Sequence, residues 1–504
     1  MSFLIDGPWL YGTGRLIAQL PPERQAVAST ATAAAFLITS VSLYLERGWT
    51  RPIWRLCRAR SGRVRWTSPP PRAPLFFRAW RRRHGASGHP ASLAAGRGRG
   101  YERRMPDFFD IARHMTPEER AIQKEVRAFV DARVLPIVGE HFEKGSFPLE
   151  LIPEIAKMGL LGCNLHGYGC AGLSEVGYGI AMQELERGDS GIRSFASVQG
   201  SLVMYPIHAF GSDAQKERYL PKMAKGEIIG CFGLTEPDHG SDATHMQTRA
   251  VRASRGGRAG WTIDGEKMWT TGMHTASHCL VFARTSGEAG AARGITCFIV
   301  PNPSEGLVVE EYLWTFNMPT DHPRVSLRGV WVDEDAVLGT VDDGLNVAQH
   351  FVHENRIRQA ASSLGAATYC IEQSVRYARE RETFGKPLAT NQAIQWPLVE
   401  LATQAEMLRL LIRKTAWEMD RMPKTEVAHA LSDKVSMCNY WANRLCCDAA
   451  DRAMQVHGGI GYSRHKPFEH IYRHHRRYRI TEGSEEIQMR KVGAYLFGYA
   501  GPRK

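Results

Sequence analysis

Apolar residues recur at helical spacing in the part of the chain that follows residue 105. Thr116-Pro117-Glu118-Glu119 has the sequence of a capping box with proline at the first helical position. Apolar side chains then follow every three or four residues, which predicts an amphipathic helix. The same period predicts further helices over 151–161, 177–187 and 214–224.

From about Cys231 the pattern changes to short apolar runs separated by turn residues. Trp261-Thr262-Ile263 precedes Asp264-Gly265, a pair typical of turns. Similar runs occupy 279–283, 295–300, 307–313 and 330–332. Together they predict an antiparallel β domain over residues 230–341.

The helical period returns at Gly344 and continues almost to the end of the chain. Within it, Pro397 is expected to bend one long helix early, and another long helix is expected over about 426–454. Helices, then a sheet, then long helices predict an α+β fold with no alternating βαβ units, so a nucleotide would not be held by a Rossmann fold. The predicted domains are 105–229, 230–341 and 342–504. The apolar face of the helix with Pro397 is formed by Ile394, Leu398, Leu401, Ala405, Leu408 and Ile412.

Charge is distributed very unevenly along the 504 residues. The net charge is +12, yet residues 1–104 contain 18 Arg, no Lys and 4 acidic residues, a net +14, and the remainder carries −2. The nearly neutral remainder argues against nucleic acid as a partner. A non-enzymatic, Arg-rich membrane-associated or nucleic-acid-associated protein is the alternative that rests on residues 1–104.

Residues 1–104 are rich in Arg, Pro and Gly and do not read as a folded domain. Three interpretations are open. The segment is an organelle-targeting sequence, a membrane anchor in which the uncharged run 26–45 precedes a basic stalk, or upstream sequence translated from a wrong start, with Met105 as the true first residue. We favour the last, because Lys is absent here and normally used afterwards.

The ten cysteines form no CxxC pair, and no metal-ligand spacing is found, so we expect reduced thiols in a reducing compartment and no metal. That compartment would be the cytoplasm in a bacterium and the mitochondrial matrix in a eukaryote. The run Arg473-His474-His475-Arg476-Arg477 is interpreted as a solvated or subunit-contact face.

Residues 480–488, Ile-Thr-Glu-Gly-Ser-Glu-Glu-Ile-Gln, place the carboxylate of Glu482 before Gly483 at the expected start of a helix. A carboxylate there is either a base aimed at a substrate C–H bond or part of an N-capping turn with Ser484. Other candidate binding segments are the loop 232–242, the aromatic and hydroxyl group 267–272, the helix end 381–387 with Gln392, and the glycine-rich stretch 455–461.

In this order and spacing, these segments resemble the acyl-CoA dehydrogenase family over about residues 105–500. The resemblance implies an N-terminal helical domain, a middle β domain and a C-terminal four-helix bundle. It also implies FAD as cofactor, an acyl-CoA substrate, electron-transfer flavoprotein as acceptor, and a homo-oligomer, usually a tetramer. The implied catalytic base is Glu482, and its backbone N–H would help to hold the thioester oxygen.

The resemblance also assigns binding residues by position. Arg381, Phe384 and Gln392, with the stretch that starts at Gln455, would reach the FAD of a neighbouring subunit. The substrate would contact Ser241, Arg356 and Gly483. The residues implied to contact FAD are Phe232, Gly233, Leu234, Thr235, Gly240, Ser241, Trp269, Thr270, Thr271, Arg381, Phe384, Gln392, Gln455, Val456, His457, Gly458, Gly459, Ser484, Glu485 and Glu486.

Within the family, residues 184–194 are similar to the substrate-carboxylate site of glutaryl-CoA dehydrogenases. Arg193 and Ser194 would hold the distal carboxylate, with Glu186 nearby. Two departures concern the acyl pocket. Thr481 stands where a Tyr is common, and 314–323 replaces the family's basic, hydroxyl-rich segment. A short-chain acyl-CoA dehydrogenase without decarboxylation, or an acyl-CoA oxidase, is the alternative.

Overall fold

The computed structural model describes residues 108–315, 321–350 and 352–499. The predictions for residues 1–104 lie outside these ranges, as do residues 316–320 of the segment 314–323. The expected capping box is confirmed, since Thr116 Oγ1 accepts from the Glu119 N–H and Glu119 Oε2 accepts from the Thr116 N–H. The first helices are α1 (Pro117–Phe129), α2 (Val138–Lys144), α3 (Ile152–Lys157), α4 (Glu175–Gly188), α5 (Ser190–Ser197), α6 (Tyr205–Phe210) and α7 (Asp213–Ala224).

A single sheet follows the first helices in the described part of the chain. Its strand order is β6-β7-β3-β2-β4-β5-β8, and β1 pairs with β4. β4 and β5 are buried along almost their whole length, because helices cover one face and the rest of the sheet curls over the other. The strands are β1 (Gly230–Gly233), β2 (Arg249–Arg255), β3 (Arg258–Met268), β4 (His278–Arg284), β5 (Ile295–Pro301), β6 (Leu307–Tyr312), β7 (Pro323–Asp333) and β8 (Val337–Leu338).

Two details of the sheet differ from the prediction. The sheet is not wholly antiparallel, since β1 runs parallel to β4. Asp264-Gly265 is not a turn but a bulge inside β3, where the register against β7 shifts. Gly265 has φ of +148°, and a Cβ there would lie 2.6 Å from Thr248. Glycine is therefore needed for a close approach of β2 and not for a chain reversal.

The C-terminal helices share one apolar core, formed mainly by α9, α10, α12 and α14. The expected face of α10 is confirmed for Leu398, Leu401, Ala405, Leu408 and Ile412, which are all buried, whereas Ile394 is half-buried. The predicted long helix over 426–454 is instead two helices that separate at Leu431. The elements are α8 (Gly344–His350), α9 (Val352–Glu380), β9 (Glu382–Thr383), β10 (Lys386–Pro387), α10 (Gln392–Met419), α11 (Lys424–Ala430), α12 (Ser432–His457), α13 (Gly459–Tyr462), α14 (Phe468–Tyr478) and α15 (Glu485–Leu496).

The predicted α+β architecture of helices, β domain and helical bundle is confirmed. Eight of the nine cysteines in the described ranges are buried, and none of the nine forms a disulfide, as expected of small apolar side chains. Among the described helices, we find none that combines the length and the apolar character needed to span a membrane.

Candidate active site

The turn that carries Glu482 lies between α14 and α15. Ser484 is the N-cap of α15, and its Oγ accepts a 3.4 Å hydrogen bond from the Ile487 N–H. Glu482 and Gly483 both adopt the left-handed region, with φ of +59° and +89°. Glycine is required at 483, since a Cβ there would lie 2.6 Å from Arg356 Nη2.

Two long side chains hold the Glu482 turn through its backbone. Arg356 Nε donates to the Glu482 carbonyl at 3.0 Å, and Gln488 Nε2 donates to the Glu482 and Gly483 carbonyls at 3.2 and 3.1 Å. Burial lowers the pKa of Arg356 to about 10, against the opposing charge of Glu482, which leaves it a cation at neutral pH. Arg356 therefore contacts the backbone of the turn directly, and its role toward the substrate stays a prediction.

The Glu482 carboxylate takes no part in capping. Its side chain is 26% exposed, and Oε1 lies 4.0 Å from Arg358 Nη2. Oε2 is buried and has no hydrogen-bond partner within the described ranges. Ser484 performs the capping that the alternative interpretation gave to this segment, so the carboxylate is left available to act on a ligand.

A second charged group, buried more deeply, is centred on Arg193 of α5. Arg193 Nε donates to Glu186 Oε2, and both side chains are fully enclosed. Burial by itself would raise the pKa of Glu186, but the charge of Arg193 and the contact with His475, at 2.9 Å, hold it well below its usual range. Arg193 Nη2 is buried without a hydrogen-bond partner. Glu186, Arg193 and Ser194 are thus brought together, as expected.

The interpretation of 473–477 as a solvated or subunit-contact face is wrong for its central residues. His474 and His475 are fully buried, and His475 Nδ1 lies 3.1 Å from Ser363 Oγ. Arg477 Nη2 donates to Ser194 Oγ at 3.0 Å and to His474 Nε2 at 2.9 Å. The physical reason is that α14 packs between α12 and the group around Glu186, which supplies partners for these polar side chains.

The two predicted flavin segments of the β domain meet at the ends of β1 and β3. The Met268 N–H donates to the Thr235 carbonyl at 2.8 Å. Trp269 has φ of +63° and is half exposed. Thr270 Oγ1 is buried without a partner, while Gly240 and Ser241 lie in the exposed loop beside it. An unpaired hydroxyl beside an exposed indole fits the polar edge and flat face of a ring cofactor.

Beneath these segments, a buried ion pair fixes the loop. Lys267 Nζ lies 2.7 Å from Glu236 Oε1, and the same carboxylate accepts from the Thr248 N–H at 3.0 Å. Burial lowers the pKa of Lys267, which is opposed by the charge of Glu236. The pair joins the loop after β1 to the end of β3, the two pieces of backbone on which the predicted flavin contacts lie.

His322 connects the predicted flavin segment at Thr271 to Arg477 of α14. Arg477 Nη1 donates to His322 Nε2 at 2.7 Å, and His322 Nδ1 lies 2.9 Å from Thr271 Oγ1. Arginine is only a donor, so Nε2 must be the acceptor and Nδ1 carries the proton toward Thr271. Burial, with the charge of Arg477, lowers the pKa of His322 to about 4 despite the opposing charge of Asp321. The imidazole is therefore neutral at pH 7.

This lowered pKa predicts a pH effect on stability. The unfolded chain binds a proton at His322 below its ordinary value near 6.5, but the folded protein does so only near 4. The stability that His322 contributes is complete above pH 6.5 and declines as the pH falls toward 4, by about 1.4 kcal/mol per pH unit. His322→Gln can still accept from Arg477 and should lose this dependence. The test is the free energy of unfolding in urea of wild type and His322→Gln at pH 7 and pH 5. An equal loss of free energy in both proteins between these pH values would contradict the prediction.

The remaining predicted flavin residues lie far from Glu482 in the same chain. Arg356 and Glu380 are 24 residues apart on α9, about 36 Å along its axis. At that far end, the Tyr377 ring stacks on His457 with 4.3 Å between centroids. This contact brings two predicted groups together. The first is Arg381, Phe384 and Gln392, and the second is Gln455, Val456, His457, Gly458 and Gly459. Phe384 is fully exposed, while Val456 and His457 are buried.

At the start of α15, Glu485 already has protein partners. Its carboxylate pairs with Arg479 at 2.8 Å and with Arg444 at 3.1 Å, which lowers its pKa to about 2. Glu486 is exposed. The roles of Ser484, Glu485 and Glu486 toward FAD stay predictions.

Sequence reasoning missed three residues of this site: His322, Arg358 and Arg477. Arg358 is 1% exposed, and none of its three guanidinium nitrogens has a hydrogen-bond partner. The signal for it was present, since Ile357, Ala361 and Leu364 place position 358 on the buried side of α9. His322 lies at the end of the segment that departs from the family pattern.

Comparison with known proteins agrees with this architecture. The family models of the acyl-CoA dehydrogenase N-terminal, middle and C-terminal domains match residues 116–227, 231–327 and 342–497. The mitochondrial short-chain specific acyl-CoA dehydrogenase of Bos taurus is 32% identical over 385 residues, which cover 74% of this chain and 89% of that protein.

Solved structures give the same result. The glutaryl-CoA dehydrogenase of Mycobacterium smegmatis is 36% identical with a TM-score of 0.72, covering 79% of this chain and 98% of that one. A glutaryl-CoA dehydrogenase of that organism in complex with FADH2 is 34% identical with a TM-score of 0.71, covering 78% and 98%. The chain therefore belongs to the acyl-CoA dehydrogenase family of FAD-dependent oxidoreductases.

Proposed function

We propose that this acyl-CoA dehydrogenase acts on a thioester whose acyl chain ends in a carboxylate, with glutaryl-CoA as the first candidate, and releases crotonyl-CoA and CO₂. The observation that carries the proposal is the buried guanidinium of Arg193, which lies next to Ser194 and Glu186. Its Nε is paired with Glu186, but its Nη2 has no hydrogen-bond partner among the described residues. A plain fatty acyl chain would leave this donor unpaired, which costs free energy, whereas a carboxylate would satisfy it.

In the proposed reaction, Glu482 takes the α-proton of the thioester. Its Oε2 is buried and unpaired, so no protein hydrogen bond has to break before it accepts the proton. Arg356 and Gln488 hold the turn by its carbonyls. The Glu482 N–H makes no hydrogen bond to another described residue, which leaves it free to hold the developing oxyanion of the thioester.

FAD fits the segments 232–235 and 269–271, which offer an exposed indole and an unpaired buried hydroxyl. When bound, it supplies the acceptor for the hydride that leaves Cβ. The protein's own residues orient the acyl chain between Glu482 and this acceptor. With a glutaryl chain, the carboxylate of the unsaturated product would leave as CO₂, and the carbanion that remains would take back the proton held by Glu482, which gives crotonyl-CoA.

A homo-oligomer, usually a tetramer in this family, and electron transfer to an electron-transfer flavoprotein are part of the proposal. The group around Arg381 and His457 lies far from Glu482 of the same chain. It therefore cannot contact the ring of a flavin that is held near that Glu482. The outer face of α10 also carries exposed large apolar side chains at helical spacing, suited to a subunit contact. They are Trp396, Val399, Met407, Leu410 and Trp417.

Turnover of glutaryl-CoA and butyryl-CoA, with electron-transfer flavoprotein as acceptor, tests the proposal. We expect kcat/KM for glutaryl-CoA to exceed that for butyryl-CoA by at least about tenfold, as one charge-assisted hydrogen bond allows. One CO₂ should be released for every two electrons that reach the acceptor. Butyryl-CoA as the better substrate, without CO₂ from glutaryl-CoA, would support a short-chain enzyme, and rapid peroxide formation in air would support an oxidase.

A further inference from the structure

We infer that Arg358 is a second specificity-determining residue, which together with Arg193 binds the carboxylate of the acyl chain; this inference rests on the proposed function. Arg358 lies on α9, where its side chain is 1% exposed. Its Nε, Nη1 and Nη2 are all buried without a hydrogen-bond partner among the residues that the structure describes. A buried guanidinium with no hydrogen-bonded partner is rare in a folded protein, because desolvation is then not compensated.

The nearest carboxylate does not satisfy Arg358. Glu482 Oε1 lies 4.0 Å from Arg358 Nη2, outside hydrogen-bond distance. The proposed reaction also removes this charge, because Glu482 becomes neutral when it takes the α-proton. During that step Arg358 needs another anion, and a carboxylate that belongs to the substrate would stay in place throughout.

Arg193 and Arg358 are both buried and repel each other inside the protein. Arg193 offers Nη2 and Arg358 offers all three nitrogens as unpaired donors. A single carboxylate has two oxygens and about four acceptor positions, so it can bridge two guanidinium groups. Such a bridge would remove the repulsion and pair the donors at the same time.

The charge balance of the region agrees with this inference. Four arginines lie around the site, namely Arg193, Arg356, Arg358 and Arg477, against the carboxylates of Glu186, Glu482 and Asp321. His322 and His474 add no positive charge, since burial lowers the pKa of each. Asp189 is a further carboxylate beside Arg193, and burial raises its pKa to about 6, so it is mostly ionised at pH 7. The arginines and carboxylates therefore balance until Glu482 is protonated, when one excess positive charge remains for a substrate carboxylate to neutralise.

The position of Arg358 also limits the length of the acyl chain. A carboxylate bound to a guanidinium that lies 4.0 Å from the base must be only a few bonds from the α-carbon. The chemistry selected is a short dicarboxyl thioester, such as a four- or five-carbon one. A longer dicarboxyl chain would carry its charge past both arginines.

The test is to replace Arg358 with Met, which keeps the length and removes the charge, and with Lys, which keeps the charge. We expect Arg358→Met to raise KM for glutaryl-CoA by about 10- to 100-fold, while KM for butyryl-CoA changes by less than about threefold. Arg358→Lys should fall between Met and wild type. Arg218→Met, an exposed arginine of α7, is the matched control and should resemble wild type with both substrates.

A thermal measurement separates binding from folding. Without ligand, Arg358→Met should melt no lower than wild type, because a desolvated and unpaired charge is removed. Glutaryl-CoA should raise the Tm of wild type more than butyryl-CoA does, and the Met variant should lose that difference. A lower Tm without ligand, or equal loss with both substrates, would overturn the inference and make Arg358 a structural partner of Glu482.

The two proposals fail in distinguishable ways. If wild type shows no preference for glutaryl-CoA or succinyl-CoA over butyryl-CoA, the proposed substrate class is wrong. If wild type shows the preference and Arg358→Met keeps it, the substrate class stands and the role of Arg358 is wrong.

Discussion

Glu482→Gln is expected to keep bound flavin and lose dehydrogenation by a factor of about 10² to 10⁴, the contribution of a positioned general base. The amide has nearly the same shape, so the contacts of Arg356 and Gln488 with the backbone of the turn should persist. What disappears is the unpaired Oε2 that accepts the α-proton. The measurement is kcat with glutaryl-CoA and with butyryl-CoA, beside the visible spectrum of the purified protein.

The matched control is Glu217→Gln, which makes the same chemical change on the exposed face of α7. It should be indistinguishable from wild type in flavin content, kcat and Tm. If Glu482→Gln retains more than about a tenth of the wild-type kcat, which is less than a positioned base contributes, another residue is the base.

Arg193→Ala is expected to destabilise the fold by about 3–5 kcal/mol, because it leaves the Glu186 carboxylate buried without its arginine partner. The cost is large because both side chains are enclosed and the charge of Arg193 is what keeps the pKa of Glu186 low. The double variant Glu186→Gln with Arg193→Met removes both charges and should recover most of the loss. The measurement is the free energy of unfolding in urea at pH 7 for the wild type, the Arg193→Ala variant and the double variant.

Arg133→Ala is the control for this second prediction. Arg133 pairs with Glu154 at 2.7 Å on the surface, so its removal should cost less than about 1 kcal/mol. An Arg193→Ala protein as stable as the Arg133→Ala protein would show that the pair with Glu186 contributes little. It also follows that substrate selectivity at Arg193 is best tested in the double variant, in which folding and binding losses are separated.

Much of the fold could be predicted from local patterns. The capping box at Thr116 and the buried face of α10 depend on residues a few positions apart, which the sequence displays directly. The Glu482 turn was also predictable, because a carboxylate, a glycine and a capping serine stand side by side. Local chemistry could not show which residue caps the helix, and the structure gives that role to Ser484.

The errors share a physical cause, which is that burial is decided by distant partners. His474 and His475 were interpreted as part of a solvated or subunit-contact run, but Glu186 and Ser363, far away in the sequence, satisfy His475. The spacing of Phe468, Ile471, His475 and Tyr478 was the overlooked signal of a buried face. Asp264-Gly265 has the composition of a turn, and nothing local shows that Thr248, just before β2, would lie 2.6 Å from a Cβ at position 265.

The central claim is that Glu482 and the neighbouring flavin site remove hydrogen from a short acyl thioester that ends in a carboxylate. The most direct measurement is the visible flavin absorbance of the wild-type holoenzyme, mixed without oxygen with glutaryl-CoA, succinyl-CoA or butyryl-CoA. We predict rapid bleaching by a dicarboxyl thioester and slower bleaching by butyryl-CoA. Absorbance that stays unchanged with every thioester, or bleaches fastest with butyryl-CoA, would contradict the account.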